Sequence, residues 1–209
     1  MEERLQGNPV SEGIAYAKSY IYIPGTLTKA PEFFPKGQEE EKYREFRESC
    51  EKADSELVTL YNGMCKEDPD KAKIFSAHRE LLQDEEILDE IRETICEENM
   101  NPDSAVSKVY TEFAELLAGV EDPLIAERAA DLRDVRDRLL RILSGQETSK
   151  LSSFSEDVIL VAHDLLPSDT ATMDRKHIKG ILTEVGGVNS HSAILARSYG
   201  IPAILGVPN

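Results

Sequence analysis

Residues 178–206 read IKGILTEVGGVNSHSAILARSYGIPAILG. The apolar run Ile181–Val185 has the character of a buried strand. Gly186 and Gly187 follow it and permit a sharp turn or a close approach of backbone. Asn189 or Ser190 then supplies a helix N-cap. Ala193, Ile194, Ala196 and Arg197 continue a short helix, Gly200 ends it, and IPAIL reads as the next strand. Strand, turn, helix and strand in one short stretch are the working unit of an α/β fold. They leave His191, one of only four histidines, in the first turn of a helix just after a glycine turn.

That position has chemical consequences. The unpaired N–H groups and the dipole of a helix N-terminus favour anions. The same positive field disfavours a protonated imidazole, so His191 is expected to be neutral and nucleophilic near pH 7. A phosphoryl group taken up by its free ring nitrogen would sit where donors already point. The same local features also fit an inert histidine hydrogen-bonded at a helix cap, and residue types alone leave both readings open. No second His or Cys lies at metal-ligand spacing, and the glycines lack G-x-G-x-x-G spacing.

Outward from this stretch, the chain changes character twice. Residues 8–23, NPVSEGIAYAKSYIYI, read as strand behind a turn. A proline-containing connection, PGTLTKAPEFFPKG, follows. From Gln38 to Leu143 the apolar residues recur at helical spacing. Tyr43, Phe46, Cys50, Ala53, Leu57, Leu60 and Met64 form one stripe. Others run through Ile74–His78–Leu82, Ile87–Ile91–Ile95, Val106–Tyr110–Phe113–Leu116–Leu117 and Ile125–Ala129–Leu132–Val135–Leu139. One-faced helices must bury against each other, so this block is expected to be a small bundle. Short apolar runs return after Leu151. The expected division is an α/β domain from 1–34 and 147–209, with a helical domain of 35–146 inserted between its two parts.

Charge follows the same division. Residues 36–145 hold 29 acidic and 16 basic residues, which accounts for −13 of the net −16. So acidic a chain of 209 residues is ill suited to nucleic acid, whereas a partner with a basic face is compatible. With 40% hydrophobic and 31% charged residues the composition is that of a globular protein. No run approaches the ~20 apolar residues of a membrane span, and MEERLQGNPV lacks the apolar core of a signal peptide. Cys50, Cys65 and Cys96 form no ligand spacing, and a reduced, cytoplasmic setting is expected.

GGVNSHSAILAR (186–197) closely resembles the phosphohistidine signature of the phosphoenolpyruvate-utilising enzymes. Within that family the rest of the chain is similar, in the same order, to enzyme I of the bacterial sugar phosphotransferase system. SEGIAYAK (11–18) looks like its opening strand, and AHRELLQDEEILDEI (77–91) and ERAADLRDVRDRLLR (127–141) like its helical insert. DVILVAHDLLPSDTATM (157–173) looks like the strand leading to its active site. The resemblance implies an α/β phosphohistidine (swivelling) domain with an inserted all-α helical bundle.

It further implies a phosphotransferase whose His191 accepts phosphate on Nε2, ultimately from phosphoenolpyruvate, and passes it to a histidine of the phosphocarrier HPr. By that resemblance Thr170 hydrogen-bonds the histidine. Gly186, Gly187, Asn189 and Ser190 shape the turn, and Arg197 either offsets phosphate charge or ties its helix to the sheet. His78, Leu81, Glu85, Glu86 and Arg128 are expected on the HPr face, while His163 and His177 match nothing functional. The family's phosphoenolpyruvate site, its Mg²⁺ and its dimer interface lie in a C-terminal barrel, so the chain is expected to be a fragment without metal or cofactor of its own. Asn189 stands where the family often has threonine, and Leu166 where a polar residue is common. The swivelling domain of a dikinase or synthase, and a non-catalytic HPr-binding module, are the alternatives.

Overall fold

The computed structural model describes residues 6–22, 32–66, 68–120, 123–145, 150–171, 173–188 and 190–208. In chain order the elements are β1 (Asn8–Ser11), β2 (Lys18–Tyr22), α1 (Glu39–Cys65), α2 (Pro69–Leu82), α3 (Glu85–Cys96), α4 (Pro102–Ala118), α5 (Pro123–Leu143), β3 (Val158–Ala162), α6 (Pro167–Ala171), β4 (Ile178–Thr183), α7 (His191–Tyr199) and β5 (Ala203–Leu205). They fall into two compact units. Among the described residues, 6–22 and 150–208 form one, and 32–145 form the other.

The first unit is a five-stranded sheet in the order β1-β5-β4-β3-β2. Strands β2, β3, β4 and β5 are parallel, and β1 pairs antiparallel with β5. Along β3 and β5 buried residues alternate with more exposed ones, so one face of these strands carries the core. Val158, Leu160, Ala162, Ile178, Ile181, Ala203 and Leu205 form its centre, joined by Ala193 and Ala196 of α7. The two N-terminal strands thus close both edges of a sheet whose middle comes from the far end of the chain.

Residues 8–23 read as strand in the sequence, but the described residues 8–22 form two strands, with 12–17 crossing between opposite edges of the sheet. Four gaps of ~4.8 Å separate those edges, a span of ~19 Å that six extended residues just cover. The crossing segment passes over Gly180. A Cβ added there would lie 2.9 Å from Ile159 Cδ1 and 3.3 Å from Ala15 Cβ, so glycine gives Ala15 room for its close approach. With Ala15 turned inward, its neighbours Ile14 and Tyr16 point out, each 98% exposed.

The second unit is the expected bundle. Phe46, Ala53 and Leu57 of α1 are buried. So are Phe75 and Leu82 of α2, Ile87, Ile91 and Ile95 of α3, Val106, Val109 and Tyr110 of α4, and Leu132, Val135 and Leu139 of α5. Burying each large side chain contributes about 1.5–3 kcal/mol. Asp68 and Asp84 accept backbone N–H groups at the starts of α2 and α3. The N-terminal boundary lies earlier than residue 35. Phe33 bridges Met100, Phe34 N–H donates to Asn99 O, and Asn101 N–H donates to Glu32 O, so residues 32–34 belong with the helices. The three cysteines are free and half-buried, and burial pushes the Cys50 thiol up to about 12.

Asp174 organises the turn into β4. Its carboxylate accepts His177 Nδ1–H at 2.8 Å, the Phe154 N–H at 2.9 Å and the Lys176 N–H at 3.0 Å. The bond to His177, followed by these backbone donors, holds the carboxyl well below the ordinary carboxylate range. A depressed folded-state value stabilises the fold above the unfolded value of about 4, and that contribution is lost as pH falls below it. Asp174→Asn is therefore expected to destabilise the α/β unit at pH 7, with the difference from wild type shrinking below about pH 4. Urea unfolding followed by amide signals of β3 and β4 checks this.

Candidate functional site

Parallel strands end on a common edge, and ligand sites of open α/β sheets gather beyond it. Beyond β4, Glu184 N–H and Val185 N–H continue pairing with Ala162 O and His163 O, both at 3.1 Å. The chain then turns at Gly186, whose φ is +109°, and a Cβ there would press Leu205 Cδ1 and Ser190 Oγ at 3.4 Å. Gly187 lies in open space. Ser190 N–H donates to Gly187 O, closing the turn.

Ser190, rather than Asn189, caps α7. Its backbone is extended, and its Oγ accepts the Ala193 N–H at 3.3 Å. His191 is the first residue of the helix. Asn189 and the side chain of His191 lie outside the described residues. At the other end Gly200 adopts the left-handed conformation. Its N–H reaches Arg197 O and the Ile201 N–H reaches Ala196 O, a Schellman closure. The helix is thus fixed at both ends, with its N-terminus at the strand edge.

Two further contacts hold it there. Ser192, 3% exposed, donates its hydroxyl to Leu165 O at 3.1 Å. Arg197 Nη1 donates to Val10 O of β1 at 3.4 Å, so of its two candidate roles the tie to the sheet is the one seen. Thr170 lies on α6, 1% exposed, with its hydroxyl donating to Pro167 O at 2.9 Å. Leu166 offers α6 no capping side chain. Instead Asp169 reaches back, and its Oδ2 accepts the Leu166 N–H at 3.1 Å. His163 is exposed, its Nδ1 2.7 Å from Glu184 Oε2.

In the helical unit, one expectation needs correction. His78 is fully buried, edge-on to Phe75, with Nε2 3.2 Å from Asp131 Oδ1. It ties α2 to α5 from inside and is not on an accessible partner face. Leu81 is half-buried, and Glu85, Glu86 and Arg128 are exposed. The stripes placed Leu116 and Ile125 in the core, yet they are 70% and 37% exposed, near Val120 at 40%. Adjacent residues point about 100° apart around a helix, and in Leu116–Leu117 it is Leu117 that turns further inward.

The sequence profile of the N-terminal domain of PEP-utilising enzymes matches residues 6–128, and that of their mobile domain matches residues 154–209. The chain belongs to the family of phosphoenolpyruvate-utilising enzymes. It is 39% identical to a phosphoenolpyruvate-protein phosphotransferase of Priestia megaterium and 38% identical to one of Bacillus subtilis, covering 99% and 98% of this chain. It spans 36% of the length of these curated relatives. A solution structure of enzyme I superposes with a TM-score of 0.81 at 38% identity, covering 99% of this chain and 84% of that one. The N-terminal domain of a nitrogen enzyme I gives 0.65 at 25% identity, over 98% and 84%.

The two turn glycines separate cleanly in their demands. Gly186→Ala forces a side chain into positive φ and is expected to cost about 1–2 kcal/mol. Gly187→Ala meets nothing and is expected to leave stability within about 0.5 kcal/mol of wild type. Thermal unfolding of the two variants checks the contrast.

Proposed function

We propose that this chain is the phosphoryl-carrying part of a cytoplasmic phosphoenolpyruvate-protein phosphotransferase, in which His191 accepts a phosphoryl group and passes it to HPr in sugar uptake. The observation that carries the reading is the placement of His191 at the first position of α7, behind the Gly186 turn and the Ser190 cap. The neutral ring's Nε2 lone pair attacks phosphorus in line as the bond to the donor oxygen breaks, and the Nδ1 proton stays on the ring. The N–H groups of the first turn and the helix dipole meet the arriving negative charge. Onward transfer reverses the geometry: the Nε2–P bond breaks as the neutral imidazole of HPr attacks. Such transfers need positioning and charge stabilisation more than covalent help. Thr170, on the adjoining α6, is the residue assigned to hold the histidine ring.

HPr is assigned to the helical unit, where Leu116 near the end of α4, Val120 just past it, and Ile125 and Arg128 early in α5 are each exposed. The acidic excess of this unit would steer a basic carrier toward it. The phosphoenolpyruvate step, its Mg²⁺ and a dimer interface are assigned to the part of the relatives' length that this chain does not span. Among the described residues no three His, Cys, Asp or Glu side chains gather as a cation site, and the carrier steps use His191, backbone donors and Thr170. Among the described residues no helix is long and apolar enough to cross a membrane.

Incubation with histidine-phosphorylated HPr is expected to place one acid-labile phosphate on the wild-type chain and none on His191→Ala. Label on the variant, or none on the folded wild type, overturns the assignment.

A further inference from the structure

The helix bearing His191 and the short helix bearing Thr170 have no covalent proximity, and α6 is too short to be stable by itself. An isolated helix of five residues gains too few hydrogen bonds to repay its nucleation. Something else must hold it at the strand edge. Two hydroxyl contacts do so, one from β2 and one from α7.

The first comes from Tyr22, the last residue of β2. Its hydroxyl donates to Asp169 Oδ1 at 2.7 Å. Asp169 is 7% exposed, and its second oxygen accepts the Leu166 N–H that opens α6. One carboxylate thus links an edge strand to the first turn of α6, next to Thr170. The second comes from Ser192, which follows His191 directly and whose hydroxyl reaches Leu165 O across 27 positions of sequence. The turn at 165–166 is therefore held twice, by β2 through Asp169 and by α7 through Ser192.

We infer that Tyr22 and Ser192 are positioning residues of the phosphoryl-carrier site, bracing α6 and α7 against a shared turn so that Thr170 and His191 keep one relative placement. This rests on the carrier function assigned to His191. Neither side chain is assigned to the phosphoryl group, since each hydroxyl is bonded to the turn at 165–169. Each acts by removing freedom from a group that must be in line when transfer occurs, where an error of about 1 Å can cost 10²-fold in rate. The Tyr22 ring packs at the edge of the sheet core, and its hydroxyl reaches α6 through Asp169.

The test uses the full 209-residue chain with histidine-phosphorylated HPr as donor, and ¹⁵N spectra of the His191 ring as a second readout. Tyr22→Phe and Ser192→Ala are each expected to lower kcat about ten-fold with KM for the donor unchanged, and to shift the His191 ring nitrogens. Ser192→Thr, which keeps the hydroxyl, is expected to recover both. Unchanged kcat and ring shifts in folded Tyr22→Phe and Ser192→Ala overturn the inference, as does a loss that Ser192→Thr fails to recover. If the wild type takes no phosphate, the carrier reading falls instead. The ring spectra then decide the brace alone, and unchanged nitrogens in both variants sink it.

Discussion

Four parallel strands carry their C-terminal ends to a single edge, and the chemistry of the α/β unit depends on that alignment. The turn after β3 leads to α6 with Thr170, and the turn after β4 leads to α7 with His191. Neither placement survives without the sheet behind it. The edge strands matter as much as the central ones, because β1 receives the Arg197 guanidinium and β2 supplies the Tyr22 hydroxyl. The crossing at 12–17, given room by the bare backbone of Gly180, lets one short N-terminal segment furnish both edges.

The helical unit is built on a different balance. Its stripes supply most of the packing, while a few polar ties orient the helices. Asp54 receives Arg79 at 2.7 Å, and Glu56 receives both Arg138 at 2.8 Å and Arg141. Arg138 and Glu56 are largely buried, so removing one of them leaves an uncompensated charge, which costs more than the pair itself contributes. His78 with Asp131 is a further polar tie between α2 and α5. Its burial makes it part of the interior frame of the bundle.

Much of this was legible in residue order. Apolar spacing marked the five helices, and the burial of Phe46, Ile91, Val109 and Leu139 follows it. The glycine turn, a capping hydroxyl and a histidine in the first turn of α7 were visible in GGVNSHSAILAR. Other features were not. The split of residues 8–22 into two edge strands depends on which strands they pair with, and pairing is not local. The stripe containing His78 could not say whether its ring faced outward or met Asp131, because that acceptor lies 53 positions further along the chain.

The sequence by itself determined the five long helices, the glycine turn before α7 and the glycine that ends it, and the division into an α/β unit and a helical insert, since periodicity and glycine act within a few residues of where they stand. Only the tertiary structure decided that Tyr22, Asp169, Leu165 and Ser192 meet around one turn. Those contacts join residues from three separated segments, and a hydroxyl finds its acceptor only after the sheet has brought those segments together.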